Sequence, residues 1–237
     1  MNPTERRFGA TTAQSGAMFD EGLRQHMLRV YNYMGAGLLI TGMIALIVGS
    51  TPALYVPIFS TPLKWVVMLA PLAFVLVLSF GINKLSVPAA QATFWAFSAV
   101  MGLSLSSIFL VYTDASIAKV FFITAATFGA MSLYGYTTKR DLTGMGSFLM
   151  MGLIGLIIAS VVNMFMQSSM MEFIISIVGV LIFVGLTAYD TQKIKEGYSE
   201  SFGADVLAKG AIMGALSLYL DFINLFLMML RLFGNRE

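Results

Sequence analysis

The sequence predicts an all-α integral membrane protein of seven transmembrane helices, and three observations carry that prediction. Hydrophobic residues make up 58% of the 237 residues and charged ones only 11%, against about 25% charged in an ordinary soluble domain. The apolar residues gather into seven runs, each near the ~20 residues that a ~30 Å hydrocarbon core requires. The links between the runs are short and hold most of the charges, so no separate soluble domain fits.

The rest of the composition excludes several functions. A net charge of +2, scattered through the links, makes no nucleic-acid surface. With no cysteine there is no disulfide, thiol nucleophile or cysteine metal site.

Residues 1–27 read as a mobile cytoplasmic tail rich in Thr, Ser, Ala and Gly, and residues 28–237 as one transmembrane domain. Arg6 and Arg7 do not start a signal peptide, because no apolar run and small-residue cleavage site follow them at signal length. His26, the lone histidine, reads as a solvated residue of the approach to the first span. The runs fall at 31–49, 65–82, 91–112, 117–136, 145–166, 172–190 and 206–230. Pro52 and Pro57 break the chain after the first, Pro88 marks the second turn, and Gly144 with Gly146 opens the fifth. Tyr and Trp near several ends, such as Tyr31, Trp65, Tyr112 and Tyr136, suit interfacial belts.

Lysine and arginine set the orientation. A cytoplasmic amino terminus places Arg6, Arg7, Arg24, Arg29, Lys84, Lys139, Arg140, Lys193, Lys195 and Lys209 inside. Only Lys64, Lys119, Arg231 and Arg236 then lie outside, as the positive-inside rule favours. If the last helix turned back partway, Arg231 and Arg236 would rejoin the inner side, so full crossing by the seventh run is an expectation to check.

The stretch 211–234, AIMGALSLYLDFINLFLMMLRLFG, places Asp221 well inside an apolar run. A carboxylate there costs at least about 2.5 kcal/mol, so it must face protein, water or an ion path. Gly210, Gly214, Ser217, Asp221 and Asn224 recur at helical spacing and line one small, polar side. Such a seam is made for close backbone contact, which marks the helix as central. Asp190 ends the sixth run in GLTAYDTQKIK, near the inner surface. Counted from Lys209, Asp221 lies 12 residues deeper, about 18 Å. Depth alone does not join the two carboxylates; tilt, or a seventh helix that begins deeper in the cytoplasm, would. If they meet, they cannot both ionise easily and would share a proton. Lys84, at the inner end of the second run, is either the cation that pairs with them or a snorkelling anchor.

AYDTQKIK and LSLYLDFINLFLMMLRLFG, on consecutive runs, closely resemble the Bax inhibitor-1 (transmembrane Bax inhibitor motif) family, and the likeness spans nearly the whole chain. The resemblance implies six helices in two layers of three wrapped around a central seventh. It implies a bacterial inner-membrane protein with a pH-sensitive calcium leak, gated by an aspartate pair that matches Asp190 and Asp221. Calcium is then the transported ion, held in passing by Asp190 and Asp221, and no cofactor is implied. Bacterial relatives carry an arginine where Lys84 stands, and a lysine cannot make the bidentate fork, so that latch is weakened or lost.

Two rivals remain to be weighed. Paired aspartates on adjacent helices also mark intramembrane aspartyl proteases, but Tyr219 replaces the required glycine. The one Pro-Ala-Leu, at 52–54, follows the first helix instead of a late one, so an enzyme is not expected. A retinal Schiff base fails because no lysine follows Lys209. The resemblance also brings a second class of function, an interaction protein that modulates a membrane-bound protease through the basic tail.

Overall fold

The computed structural model describes residues 3–235, with side chains described for residues 21–235. The elements are α1 (Pro3–Gly49), α2 (Pro52–Phe59), α3 (Leu63–Gly81), α4 (Val87–Leu105), a 3-10 turn (Ser106–Leu110), α5 (Asp114–Thr137), α6 (Thr143–Met166), α7 (Ser169–Glu196) and α8 (Ala204–Phe233). No strand occurs among the described residues. Seven of these helices are long and apolar enough to cross a membrane, the seven runs of the sequence. Between the first two lies α2, eight residues started by Pro52 at its first turn and burying none of its side chains.

The side chains of residues 1–20 and of Arg236 lie outside the described residues, so side chains of the expected tail are described only over 21–27. There the backbone is part of α1, and Leu23 and Met27 are buried against the bundle.

The hydrophobic effect does not sort helices inside a bilayer, so the fold is organised by close approach and polar contacts. In α8, 72% of the most apolar stretch is buried, against 11% in α3 and in α6. α8 packs on α1, α4, α5 and α7 and barely touches α3. The two exposed helices are held from behind, α3 by α4 and α6 by α7.

Helix ends follow the sequence chemistry. Ser86, Thr113 and Ser168 each cap a helix by accepting from the backbone N–H three residues on. α6 ends on Gln167 in the left-handed region, φ 51°, the one non-glycine residue with positive φ among those described. Asn235, just past α8, is pinned beside the start of α5: its N–H donates to Ser116 Oγ (2.8 Å), and Thr113 N–H donates to its carbonyl (3.2 Å). α8 therefore crosses the whole bundle and does not turn back.

Candidate functional site

Two contacts fix how α7 and α8 lie against each other. The Ile194 side chain covers Gly214, 3.2 Å from where a β-carbon would stand, and Met228 covers Gly179 at 2.8 Å. The pair is thus antiparallel with no slack in register. Stepping back from Ile194 and forward from Gly214 sets Asp190 level with Ser217 or Leu218, and Asp221 about one turn deeper, ~5 Å. The separation expected from counting residues closes for a physical reason. α7 continues as helix to Glu196, and the first turns of α8 pack alongside that extension, so α8 starts far outside the level of Asp190.

Four residues of the AYDTQKIK stretch, Ala188, Thr191, Gln192 and Lys195, tie α7 to its neighbours. The carbonyl of Ala188 lies so close to Gly135 of α5 that a β-carbon there would overlap it. Thr191 Oγ1 shares a hydrogen bond with Ser132 Oγ (3.0 Å), which shares another with Tyr31 OH (2.6 Å), tying α7 to α5 and α1. Gln192 clamps the α5–α6 link, its amide donating to the Arg140 carbonyl (2.8 Å) and its oxygen accepting from Leu142 N–H (2.8 Å). In the same link Asp141 accepts from Thr143 N–H (2.8 Å), and its bonds to Thr143 hold its carboxyl below the ordinary carboxylate range. Lys195 donates to the Tyr136 carbonyl at the end of α5 (2.8 Å), where a cation complements the helix dipole.

Asp190, Lys193 and Ile194 of this stretch, with Gly197 just beyond it, lie at helical spacing and face a cavity of about 320 Å³. Its other walls include His26 of α1 and Gly210, Gly214 and Ser217 of α8. A second cavity, about 870 Å³, lies between α3 and α6 and reaches Asp190, Ser217, Asp221 and Asn224. Asp190 and Ser217 line both, so the two cavities meet at the level of the carboxylate pair. A third, about 400 Å³, shares Pro71 and Met101 with the second and is lined by Ser104, Ser107, Tyr112 and Arg231. The three run in series along one side of α8, and the middle one is walled mainly by Leu, Ile, Val and Met, which water does not wet.

Within this series Asp190 is half-buried and Asp221 is 5% exposed. The charge of Asp190 reaches Asp221, and Lys193 is the cation that reaches Asp190. Oδ2 of Asp221 is buried and accepts no hydrogen bond. Asn224 turns its amide back on the Leu220 carbonyl (2.8 Å).

The structure does not bring Lys84 to this site. It sits exposed in the turn after α3, a helix held to the bundle by α4, and lines none of the three cavities. Arg24 with Glu21 is the only ion pair among the described residues. Lys193 stands where a partner cation was sought, and its spacing of three from Asp190 on one helix was the signal in the sequence. His26 also departs from expectation: it is half-buried, 5.5 Å from the Tyr198 ring, and faces the first cavity.

A calcium ion takes six to eight oxygens, roughly. No group of three or more His, Cys, Asp and Glu gathers among the described residues. Asp190, Asp221, Ser217 and the Asn224 oxygen make a donor set suited to an ion that keeps part of its water, as a passing ion does, more than to a resident one.

Comparison with known proteins agrees in family and extent. The inner membrane protein YbhL of Escherichia coli (strain K12) is 50% identical over 219 residues, covering 91% of this chain and 94% of that protein. An uncharacterized protein of Rickettsia prowazekii is 50% identical over 227 residues, covering 96% of each chain. An uncharacterized membrane protein of Streptococcus pyogenes serotype M6 is 37% identical over 227 residues, covering 92% of this chain and 96% of its own. The family model described as inhibitor of apoptosis-promoting Bax1 matches residues 23–237, from the buried start of α1 through the whole bundle; the chain belongs to the Bax inhibitor-1 family.

Proposed function

We propose that this chain is a multi-pass protein of a bacterial inner membrane, amino terminus in the cytoplasm, that passes calcium or a similar cation under control of the Asp190–Asp221 pair. The observation that supports this reading is the junction itself. Two cavities open from opposite sides onto the one place in the bundle where two carboxylates lie about a turn apart.

The mechanism follows from where the charges are. With a proton on the pair, nothing draws a cation past the first cavity, and the Leu and Met walls beyond Asp221 stay dry. Removing that proton leaves negative charge against an unwetted wall, which is costly unless water or a cation enters. The hydrated route then extends from the first cavity into the second. Lys193 beside Asp190 holds the pair's negative charge in place and competes with the cation for it. Arg231 at the far end opposes entry from that side.

Reconstituted protein is expected to leak calcium faster as pH rises through the near-neutral range, as the coupled carboxylate pair loses its proton. Asp190→Asn and Asp221→Asn, fixed in the uncharged form, lose that response. Lys193→Ala, which loses both the support for the ionised pair and the competitor for the cation, shifts the response to higher pH and leaks more once the pair is ionised. A flux that is flat across this range, or unaltered in both asparagine variants, would falsify the reading.

A further inference from the structure

We propose that the groove between α3 and α6 is a binding site for a single-chain lipophilic amine, entered sideways from the bilayer, with the ammonium group on Asp221. This goes beyond ion passage and stands whether or not an ion moves.

α3 and α6 do not pack on one another; each is held only from behind, and the gap between them is the 870 Å³ cavity. That size is within the ~300–1,000 Å³ of small-molecule sites. Leu72, Val75, Leu153, Ile157, Val161 and Met164 form its walls, and four of these, Leu72, Ile157, Val161 and Met164, are exposed on the outer faces of their helices. On helices of this apolar length those faces meet lipid, so the groove opens to hydrocarbon and suits an alkyl chain.

The floor of the groove asks for a particular head group. Asp221, 5% exposed, lines the groove, and its buried Oδ2 accepts no hydrogen bond, which costs about 1–3 kcal/mol. Around it stand neutral groups and one more carboxylate. Asp190 accepts, the Asn224 amide donates to Leu220, and the Ser160 hydroxyl donates to the Leu156 carbonyl (2.8 Å). No lysine or arginine lines the groove. The Ser217 hydroxyl and the second Asn224 N–H are neutral and leave the carboxylate's charge unmatched, so the missing partner is a cation rich in N–H donors at the end of a hydrocarbon chain. A fatty acid or an alkyl phosphate would add acceptors to acceptors. A zwitterionic phospholipid would carry its phosphate against two carboxylates.

The test uses the full chain in phosphatidylcholine nanodiscs and a dodecylamine bearing a diazirine on its alkyl chain, with the matching dodecanol as control. After illumination, peptide mass spectrometry is expected to find label concentrated on the groove walls of α3 and α6, at least about tenfold above the alcohol, the ratio that one charge-assisted hydrogen bond supplies. Unlabelled dodecylamine competes it away. Asp221→Asn reduces it to the level of the alcohol, and Leu153→Trp, which fills the groove and leaves Asp221 untouched, does the same. Equal labelling by amine and alcohol overturns the proposal, as does label spread evenly over all lipid-facing helices. Either variant that stays folded and keeps the full signal overturns it too. Because no step reads ion flux, failure here and failure of the leak experiment are separate results.

Discussion

Asp221 is a residue kept at a cost to the fold. Its Oδ2 is buried with no donor, beside another carboxylate, in a helix otherwise sheltered among apolar neighbours. Replacing such a group by an apolar one of similar volume removes an unmet acceptor and adds packing. Asp221→Leu is therefore expected to raise stability by about 1–3 kcal/mol, measured as a higher midpoint of detergent or thermal unfolding, while abolishing the pH response of the leak. A loss of stability on that change would mean the carboxylate is structural. This residue was legible from sequence because hydrocarbon penalises a charge so strongly that one aspartate inside an apolar run stands out. Lys193 was not, because a lysine in a link of mixed charge looks like any positive-inside anchor. Only its spacing from Asp190, on a helix that runs six residues beyond the apolar segment, sets it apart. The pairing of Thr191, Ser132 and Tyr31 was hidden for a different reason: it joins three helices, and one-dimensional spacing carries no information across them.

At the scale of elements, α7 is the frame on which the site is hung. Its final turns meet α5 through Gly135, α6 through Gln192 and Gly146, and α8 through Gly214. These contacts set how deep Asp190 sits relative to Asp221. The glycines on this frame are not equivalent, and that gives a paired prediction. At Gly135 a methyl group would run into the carbonyl of Ala188, backbone that cannot move without shifting α7. Gly135→Ala should cost about 1–3 kcal/mol of stability despite the better helix propensity of alanine. Gly155, in the middle of α6 with nothing within 4 Å of its β-position, should gain about 0.5–1 kcal/mol from the same change. Unfolding midpoints of the two variants moving in the same direction would contradict the close α5–α7 crossing. The sequence did mark the existence, order and approximate bounds of all seven long helices, since twenty apolar residues between polar links have few other uses. It did not mark the short helix α2, or the continuation of α7 past Asp190, where the apolar signal stops but the hydrogen-bonded backbone does not.

For the whole molecule the open question is sidedness, and the bundle narrows it to one choice. Residues 22–26 of α1 lie at the end that carries the α7–α8 link, because Gly22 and His26 meet Tyr198 there. The carboxy terminus lies at the other end, held to Thr113 and Ser116 ahead of α5. The two termini must then be on opposite faces of the membrane, whichever way the bundle is inserted. Lys139, Arg140, Lys193, Lys195 and Lys209 cluster at the α1 end, against Lys64, Lys119 and Arg231 at the other, so the proposed orientation, with the α1 end in the cytoplasm, is the one the positive-inside rule favours. A fluorescent reporter that matures only in the cytoplasm should stay dark when fused after residue 237, and a phosphatase that folds only outside should be active there. Inserted in the 197–203 link, the same two reporters should exchange their signals. A phosphatase active at both positions, or at neither, would place both ends on one face and break the crossing of α8. Since the first cavity opens at the link end, activity at both positions would also put the proposed proton entry to Asp190 on the outer side.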